Sequence, residues 1–428
     1  MSPVLRRAAP TCAALVAVAG GLTGCGGHDD KAVTPVKPAP VALTADGAPH
    51  DLSIGVVVSL TSAPGQGSDW AQAAEGAQIA AYRYGLGNVT VRLQTADDKG
   101  TADGAAKAVR SLVHQHVAGI VLATEGSHIK GALTAAAKAH VAVLLPYDSG
   151  TTSLPDDAWR TGPDSKEVSA TLAAAVKDRG LDRPAVVDAG GGTPSGLSPV
   201  ATYTFRPGDD AGRLAKKIAR RTHTARPVDS VVVSGPAGQQ AAVVQALQGA
   251  ALGDLPVFLT PDAQSPSFAT SLSSDGGTLS GDLTTVGTNA GDIAAMSPDR
   301  SGGALSAYFA GLRAAASDTK TKDFFDGKPF ASVADEADTR SHDAVVALVN
   351  AAAKAKSADP AAVLQALSGL KLDLDSGLAG PTLDFGSHSA LSSSDTVALN
   401  ATTRGPGLRP VEATPPAQLY WFKAPKAE

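Results

Sequence analysis

The stretch from Leu52 to Asp98 constrains the fold of this chain more than any other. It opens with Ile54-Gly-Val-Val-Val-Ser-Leu60, a run short and β-branched enough to be a strand buried on both faces. The Gly/Ser-rich loop Thr61-Ser-Ala-Pro-Gly-Gln-Gly-Ser68 follows. From Trp70 to Tyr84 small or apolar residues then recur at helical spacing, at Ala73, Ala77, Ala80, Ala81 and Tyr84. Val89 to Thr95 alternates like a second strand and stops at Asp97-Asp-Lys-Gly100. A strand, a helix and a parallel strand closed within this length form a right-handed βαβ unit. Units of this kind put ligands on the loops leaving the carboxyl ends of their strands.

The same alternation continues. Ala102 to His114 is expected as a helix, Val117 to Ala123 as the third strand, Ile129 to Ala139 as a helix and Val141 to Leu145 as a strand broken by Pro146. Past Trp159-Arg-Thr-Gly-Pro-Asp164 a second series begins. Its expected helices are Val168 to Arg179, Ala211 to Arg221 and Gln239 to Gly249, between strands at Ala185 to Asp188, Ser230 to Ser234 and Val257 to Thr260. Thr284 to Gly287 and the helices Leu305 to Ser317, Asp338 to Ala355 and Pro360 to Gly369 follow, and Thr396 to Asn400 and Gln418 to Phe422 look like short antiparallel strands. Strand and helix in alternation mean parallel sheets covered on both faces. At 428 residues the α/β chain is expected in two lobes.

The amino terminus has the pattern of a processing signal. Arg6 and Arg7 precede an apolar segment, Ala13 to Leu22, which is too short to span a bilayer, and the small-residue site Leu22-Thr-Gly-Cys25 comes next. That tetrapeptide resembles the bacterial lipoprotein lipobox, whose cysteine is acylated and becomes the first mature residue. Cys12 would leave with the peptide, so Cys25 would be the only thiol remaining and no disulfide could form. Residues 25–50, rich in proline and glycine, are expected as a flexible tether that holds the body outside the cell membrane. Loss of residues 1–24 removes two arginines and no acid, which moves the formal charge from −5 to −7 and disfavours nucleic acid or anionic lipid as a partner.

Several short patterns are weak. Gly190-Gly-Gly-Thr-Pro-Ser-Gly196 follows a strand, but Pro199 and a strand-like segment stand where a phosphate-cradling loop needs a helix. His114 and His116 cannot share one helical face, and Ser341-His-Asp343 is contiguous where catalytic triads draw on distant segments. No nucleophile with a base and no set of metal ligands has suitable spacing, so neither enzyme, metal nor cofactor is expected. Asp97 and Asp98 are expected to cap and end an edge loop, and Tyr82 to lie in the core.

The segments Ile54-Gly-Val-Val-Val-Ser-Leu-Thr61, Ala96-Asp-Asp-Lys-Gly-Thr-Ala102, Arg160-Thr-Gly-Pro-Asp164, Ser341-His-Asp-Ala-Val345 and Gly380-Pro-Thr-Leu-Asp-Phe385, in this order and spacing, resemble the solute-binding proteins of branched-chain amino acid ABC transporters. The resemblance covers nearly all of residues 51–422. It implies the type I periplasmic binding fold, with three interlobe crossings near Gly162, Gly287 and Gly377. Lobe 1 would then comprise residues 51–163 and 288–378, and lobe 2 residues 164–287 and 379–428. It also implies a small amino-acid-like ligand held in a cleft whose closure a membrane permease reads.

By the same resemblance Ser127 and Ser149 would hold a ligand carboxylate and Asp262 would meet its ammonium. The chain departs from the family at Tyr147 and Asp148, where small residues are usual, and an acid there would repel a carboxylate. The aromatic of the first loop is displaced, with Gly67 in its place and Trp70 three residues on. Ala189 to Pro199 replaces a lobe 2 loop that usually brings an aromatic clamp and a long helix. Trp70 and Tyr147 could face ligand or pack, and Asp148 could instead cap a turn at Thr151. The loss of the clamp keeps open an envelope structural or sensory lipoprotein that retains the fold without a working pocket.

Overall fold

The computed structural model describes residues 37–63, 66–150, 153–325, 327–410 and 418–423. The signal segment, Cys25 and Thr151 lie outside them. In chain order the first half contains β1 (Asp51–Val58), α1 (Gly76–Leu86), β2 (Thr90–Asp97), α2 (Ala102–His114), β3 (Ile120–Leu122), α3 (Ile129–Ala139), β4 (Val143–Leu145) and β5 (Ala158–Arg160). These strands make one parallel sheet in the order β2-β1-β3-β4-β5. The apolar run at Ile54 explains why β1 is central. Ile54, Val56, Val57 and Val58 are fully buried, and their backbone bonds both β2 and β3. Strand order reverses between β1 and β3, so the crevice lies beyond the carboxyl ends of these two strands.

The chain then enters α4 (Ser165–Asp178), whose start is fixed by a capping box between Asp164 and Glu167. The second half holds β6 (Pro184–Asp188), β7 (Ala201–Thr204), α5 (Ala211–Arg221), β8 (Ser230–Ser234), α6 (Ala237–Gly249), β9 (Val257–Leu259), α7 (Pro266–Ser274) and β10 (Leu283–Thr288). The chain returns to the first half through α8 (Arg300–Ser317), α9 (Thr339–Ala355), α10 (Pro360–Leu367), β11 (Lys371–Leu372) and β12 (Leu383–Asp384), and ends in β13 (Thr396–Thr402) and β14 (Tyr420–Phe422). The second sheet runs β14-β13-β10-β9-β8-β6-β7, parallel except that β13 pairs antiparallel with both β10 and β14. No helix among the described residues is long and apolar enough to cross a membrane.

Three expectations shift. The helix expected from Trp70 begins only at Gly76, after two 3-10 turns at Ser68–Trp70 and Ala73–Glu75. Gly76 lies so close to the start of α9 that a Cβ there would stand 1.8 Å from the Asp338 carbonyl oxygen, so a residue without a side chain is needed where α1 meets α9. The third passage between the sheets falls at 392–396 rather than near Gly377, because Leu378, Leu383, Phe385 and Leu391 all pack in the first core.

The tether, expected flexible to residue 50, is docked from Pro40. Arg83 donates from Nε to the Val41 carbonyl at 2.8 Å and from NH2 to the Pro40 carbonyl at 3.1 Å, and Leu43 is buried in the first core. The same guanidinium bonds His342 Nε2 at 2.9 Å, His342 Nδ1 meets Asp343 at 2.8 Å, and Asp343 accepts the Ala379 and Gly380 N–H groups at 2.8 and 2.7 Å. Burial lowers the His342 pKa, so the neutral ring donates from Nδ1 and accepts at Nε2.

Candidate ligand-binding site

A buried polar cluster fixes the loops at the mouth of the first sheet. Ser59, one residue past β1, bonds Asp98 past β2 and Thr124 past β3, both at 2.6 Å, and His128 Nε2 meets the other Asp98 oxygen at 2.9 Å. Asp98 also accepts the Gly100 N–H at 2.8 Å, while Asp97 accepts those of Leu60 and Lys99. The two aspartates thus join the first two loops. Ser, His and Asp coincide here without forming a catalytic relay, since Ser59 and Asp98 both approach the same ring nitrogen of His128.

Gly67 is held at φ +88° against this cluster, and a Cβ on it would lie 1.9 Å from Thr124 Oγ1. No aromatic residue fits at that position, which is why the aromatic of the loop stands three residues later. Trp70 is buried and stacks on Tyr147 with ring centroids 4.8 Å apart and planes 9° from parallel. The Arg340 guanidinium lies 4.3 Å from the Trp70 centroid and 4.7 Å from that of Tyr147. Asp338, the N-cap of α9, holds both partners: it accepts from Tyr147 Oη at 2.7 Å and from Arg340 Nε at 2.9 Å. Burial and the Asp338 charge push the Tyr147 hydroxyl well above its usual pKa, so it stays a neutral donor.

Asp148 turns the other way. Its Oδ2 meets Arg160 Nε and NH2, each at 3.0 Å, and burial raises its pKa against the opposing pull of that guanidinium. The acids that do meet across the cleft are Asp69, Glu125 and Asp262. Asp69, from the loop after β1, accepts from Ser267 Oγ of α7 at 2.8 Å, a bond between the two halves. Glu125 follows β3, and Asp262 sits in the 3-10 turn Pro261–Gln264 after β9, within hydrogen-bond reach of Glu125.

Desolvation raises the pKa of all three acids, that of Glu125 farthest, with Asp262 and Asp69 adding repulsion. Carboxyl groups this close cannot all ionise, so they share a proton or require a positive charge among them. The buried Trp70 indole N–H, near Glu125, forms no hydrogen bond among the described residues.

Of the residues the sequence singled out, the structure joins Trp70 to Tyr147 and brings Asp262 to the cleft. Ser127 is exposed and Ser149 half-buried, and no hydrogen bond joins either to Asp262 among the described residues. Sequence pattern does not single out Glu125, Asp69, Asp338 or Arg340. Glu125 and Asp69 carry one usable signal, their place in loops that leave the carboxyl ends of β3 and β1. In the second half, Gly190 and Gly192 donate their N–H groups to Asp188 at 2.9 and 3.0 Å, so the glycine-rich loop closes on its own strand. A cavity of about 150 Å³ opens beside the cleft, between Pro266, Thr288, Arg340, Arg409 and Trp421, and none of the six sequence-derived residues lines it.

Two α/β sheets joined by three crossings, with charged and aromatic groups meeting between them, define the two-lobed binding-protein class. The chain belongs to the periplasmic binding protein family, whose model matches residues 51–394. It is similar in fold to LivJ of Streptococcus pneumoniae, a branched-chain amino acid transporter substrate-binding protein in complex with isoleucine, at 16% identity and a TM-score of 0.61, over 82% of this chain and 96% of that one. It is likewise similar to LivK, a leucine-binding protein of Thermotoga maritima, at 18% identity and a TM-score of 0.58, over 87% of this chain and 99% of that one. An ABC transporter substrate-binding protein of Desulfitobacterium hafniense in complex with leucine is 13% identical, with a TM-score of 0.57 over 82% and 97% of the two chains. A sequence comparison with curated proteins finds no match.

Proposed function

We propose that this chain is a lipid-anchored, extracytoplasmic solute-binding protein of an importer, and that it closes its lobes on a small amino-acid-like ligand bearing positive charge, without chemical turnover. Family membership supports the solute-binding role, and Leu22-Thr-Gly-Cys25 supports the anchor. The observation that carries the ligand class is the convergence of Asp69, Glu125 and Asp262 between the lobes. Two of the similar structures named above hold isoleucine or leucine. In this chain an ammonium, amidinium or guanidinium on the ligand would replace the proton that the three acids otherwise share. Asp262 keeps the role its place in the family suggests, Trp70 and Tyr147 supply the aromatic wall, and Ser127 and Ser149 are left to the ligand's acceptor groups on the rim.

A second reading has its own observation. The Trp70–Tyr147 stack is already covered by Arg340, and Asp69 is already bonded to Ser267, so these groups are engaged by the chain itself. On that reading the protein is a structural or sensory envelope lipoprotein. A thermal-shift and calorimetric panel of basic, branched-chain and acidic amino acids, polyamines and small amides separates the two. Ligand at a hundred times its dissociation constant stabilises the fold by about 2.7 kcal/mol. Cationic members should raise the melting temperature, and Glu125→Gln with Asp262→Asn should abolish that response. A preference for leucine that survives both substitutions overturns the ligand class, and silence across the panel favours the second reading.

A further inference from the structure

Helix α5 concentrates positive charge in a chain whose formal net charge is −5. Leu214, Ala215 and Ile218 face the second core, and the opposite stripe is Arg213, Lys216, Lys217, Arg220 and Arg221, at i, i+3, i+4, i+7 and i+8. All five are exposed, as is Arg226 just beyond the helix. Acids near the stripe are few: Asp209, Asp210 and, past Arg226, Asp229. Asp210 caps the helix and reaches Arg213 at 3.7 Å, while Asp229 is engaged by Arg183. The remaining four cations of the stripe and Arg226 form no ion pair among the described residues. Three pairs in the stripe, Arg213/Lys217, Lys216/Arg220 and Lys217/Arg221, are like charges four apart, an arrangement that weakens a helix unless something outside neutralises it.

We infer that the exposed face of α5 is a docking surface for the anionic phospholipid headgroups of the membrane to which the chain is tethered. The inference rests on the extracytoplasmic anchoring proposed above. The stripe carries no aromatic or large apolar side chain, the groups that anchor a protein partner, and the apolar side of the helix is spent on the core, so neither a specific protein interface nor insertion suits it. What remains is attraction between several long cations and a diffuse negative surface. The overall negative charge does not oppose this, because at physiological salt a surface senses mainly the charges within about 8 Å, and the stretch around α5 carries many more cations than acids.

Flotation of the full chain bearing Cys25→Ser tests the inference without any acyl contribution. The vesicles are phosphatidylcholine with and without a third of phosphatidylglycerol, and a partner chain carries Lys216→Gln, Lys217→Gln and Arg220→Gln in addition. The parent should bind only the anionic vesicles and release in high salt, and the triple variant should partition roughly a hundredfold more weakly at an unchanged melting temperature. Equal partitioning of the two chains, binding to neutral vesicles, or preference for duplex DNA over the anionic vesicles would each overturn it. Absence of lipid on Cys25 of the unmodified protein, read by mass spectrometry, refutes the anchoring instead, so the two failures are distinguishable.

Discussion

Arg160 and Asp148 are locked together beneath the cleft, with Arg160 Nε and NH2 each 3.0 Å from one carboxylate oxygen. The sequence places Asp148 beside Ser149, where it would act as a second acid against the ligand. The guanidinium removes it from that task, and the acids that face the cleft are Asp69, Glu125 and Asp262.

Asp148→Ala should therefore leave the order of ligand preference unchanged and act on stability. It removes a carboxylate partner from a guanidinium whose side chain is 10% exposed, a loss of charge-assisted hydrogen bonds that costs about 2 kcal/mol. Chemical denaturation measures the cost, and the ligand panel measures the order. A changed preference with unchanged stability would return Asp148 to the pocket.

Glu75 gives the protein a pH-dependent stability. It is 1% exposed, its Oε1 accepts the Phe324 N–H at 2.8 Å, and burial pushes its pKa from 4.5 up to about 8, with Asp323 adding repulsion. Between these values the folded state keeps a proton that the unfolded state has released, so this group makes stability fall as pH rises through the window. Glu75→Gln keeps the acceptor and removes the charge. The variant should match the parent near pH 4.5 and exceed it by a few kcal/mol at pH 8, as read from urea midpoints. Parallel curves for the two proteins would refute the assignment.

Much of the fold was legible because it rests on local pattern. The β-branched run at Ile54 could only be a central strand, and the alternation of strand and helix left few topologies. The site was less legible, since its residues are chosen by packing between distant segments. Nothing near Tyr147 in sequence announces that Asp338, 191 residues away, takes its hydroxyl, or that Arg340 covers its ring. Asp148 was misplaced for the same reason, its partner lying on the next strand. The tether was misjudged because proline and glycine signal an extended chain equally well whether it is free or docked.

Arg83→Met tests the docked segment. Three hydrogen bonds are lost, two of them to backbone carbonyls of residues 40 and 41, at a cost of about 3 kcal/mol. Limited proteolysis should then cut between Pro40 and Thr44 well before the folded body is attacked. Equal resistance in parent and variant would mean that Leu43 alone holds the segment.

Cys25→Ser should move the protein out of the membrane fraction once the membranes are washed in high salt, since the acyl chains are the salt-resistant anchor expected from Leu22-Thr-Gly-Cys25. Mass spectrometry of the parent should find the lipid on that residue. An unlipidated parent that stays with the membrane would require another attachment.

The docking of residues 40–43 has a practical consequence for anyone who shortens this chain. The family match begins at residue 51, which makes Asp51 the natural place to cut. A piece beginning there would lack the Pro40 and Val41 carbonyls, leaving the Arg83 guanidinium its bond to His342, and would open the groove that Leu43 fills beside Gly87 and Gly377. Such a piece should express as aggregate, whereas one beginning a few residues before Pro40 should stay in solution. The boundary of shared ancestry and the boundary of the folded body differ here by about a dozen residues.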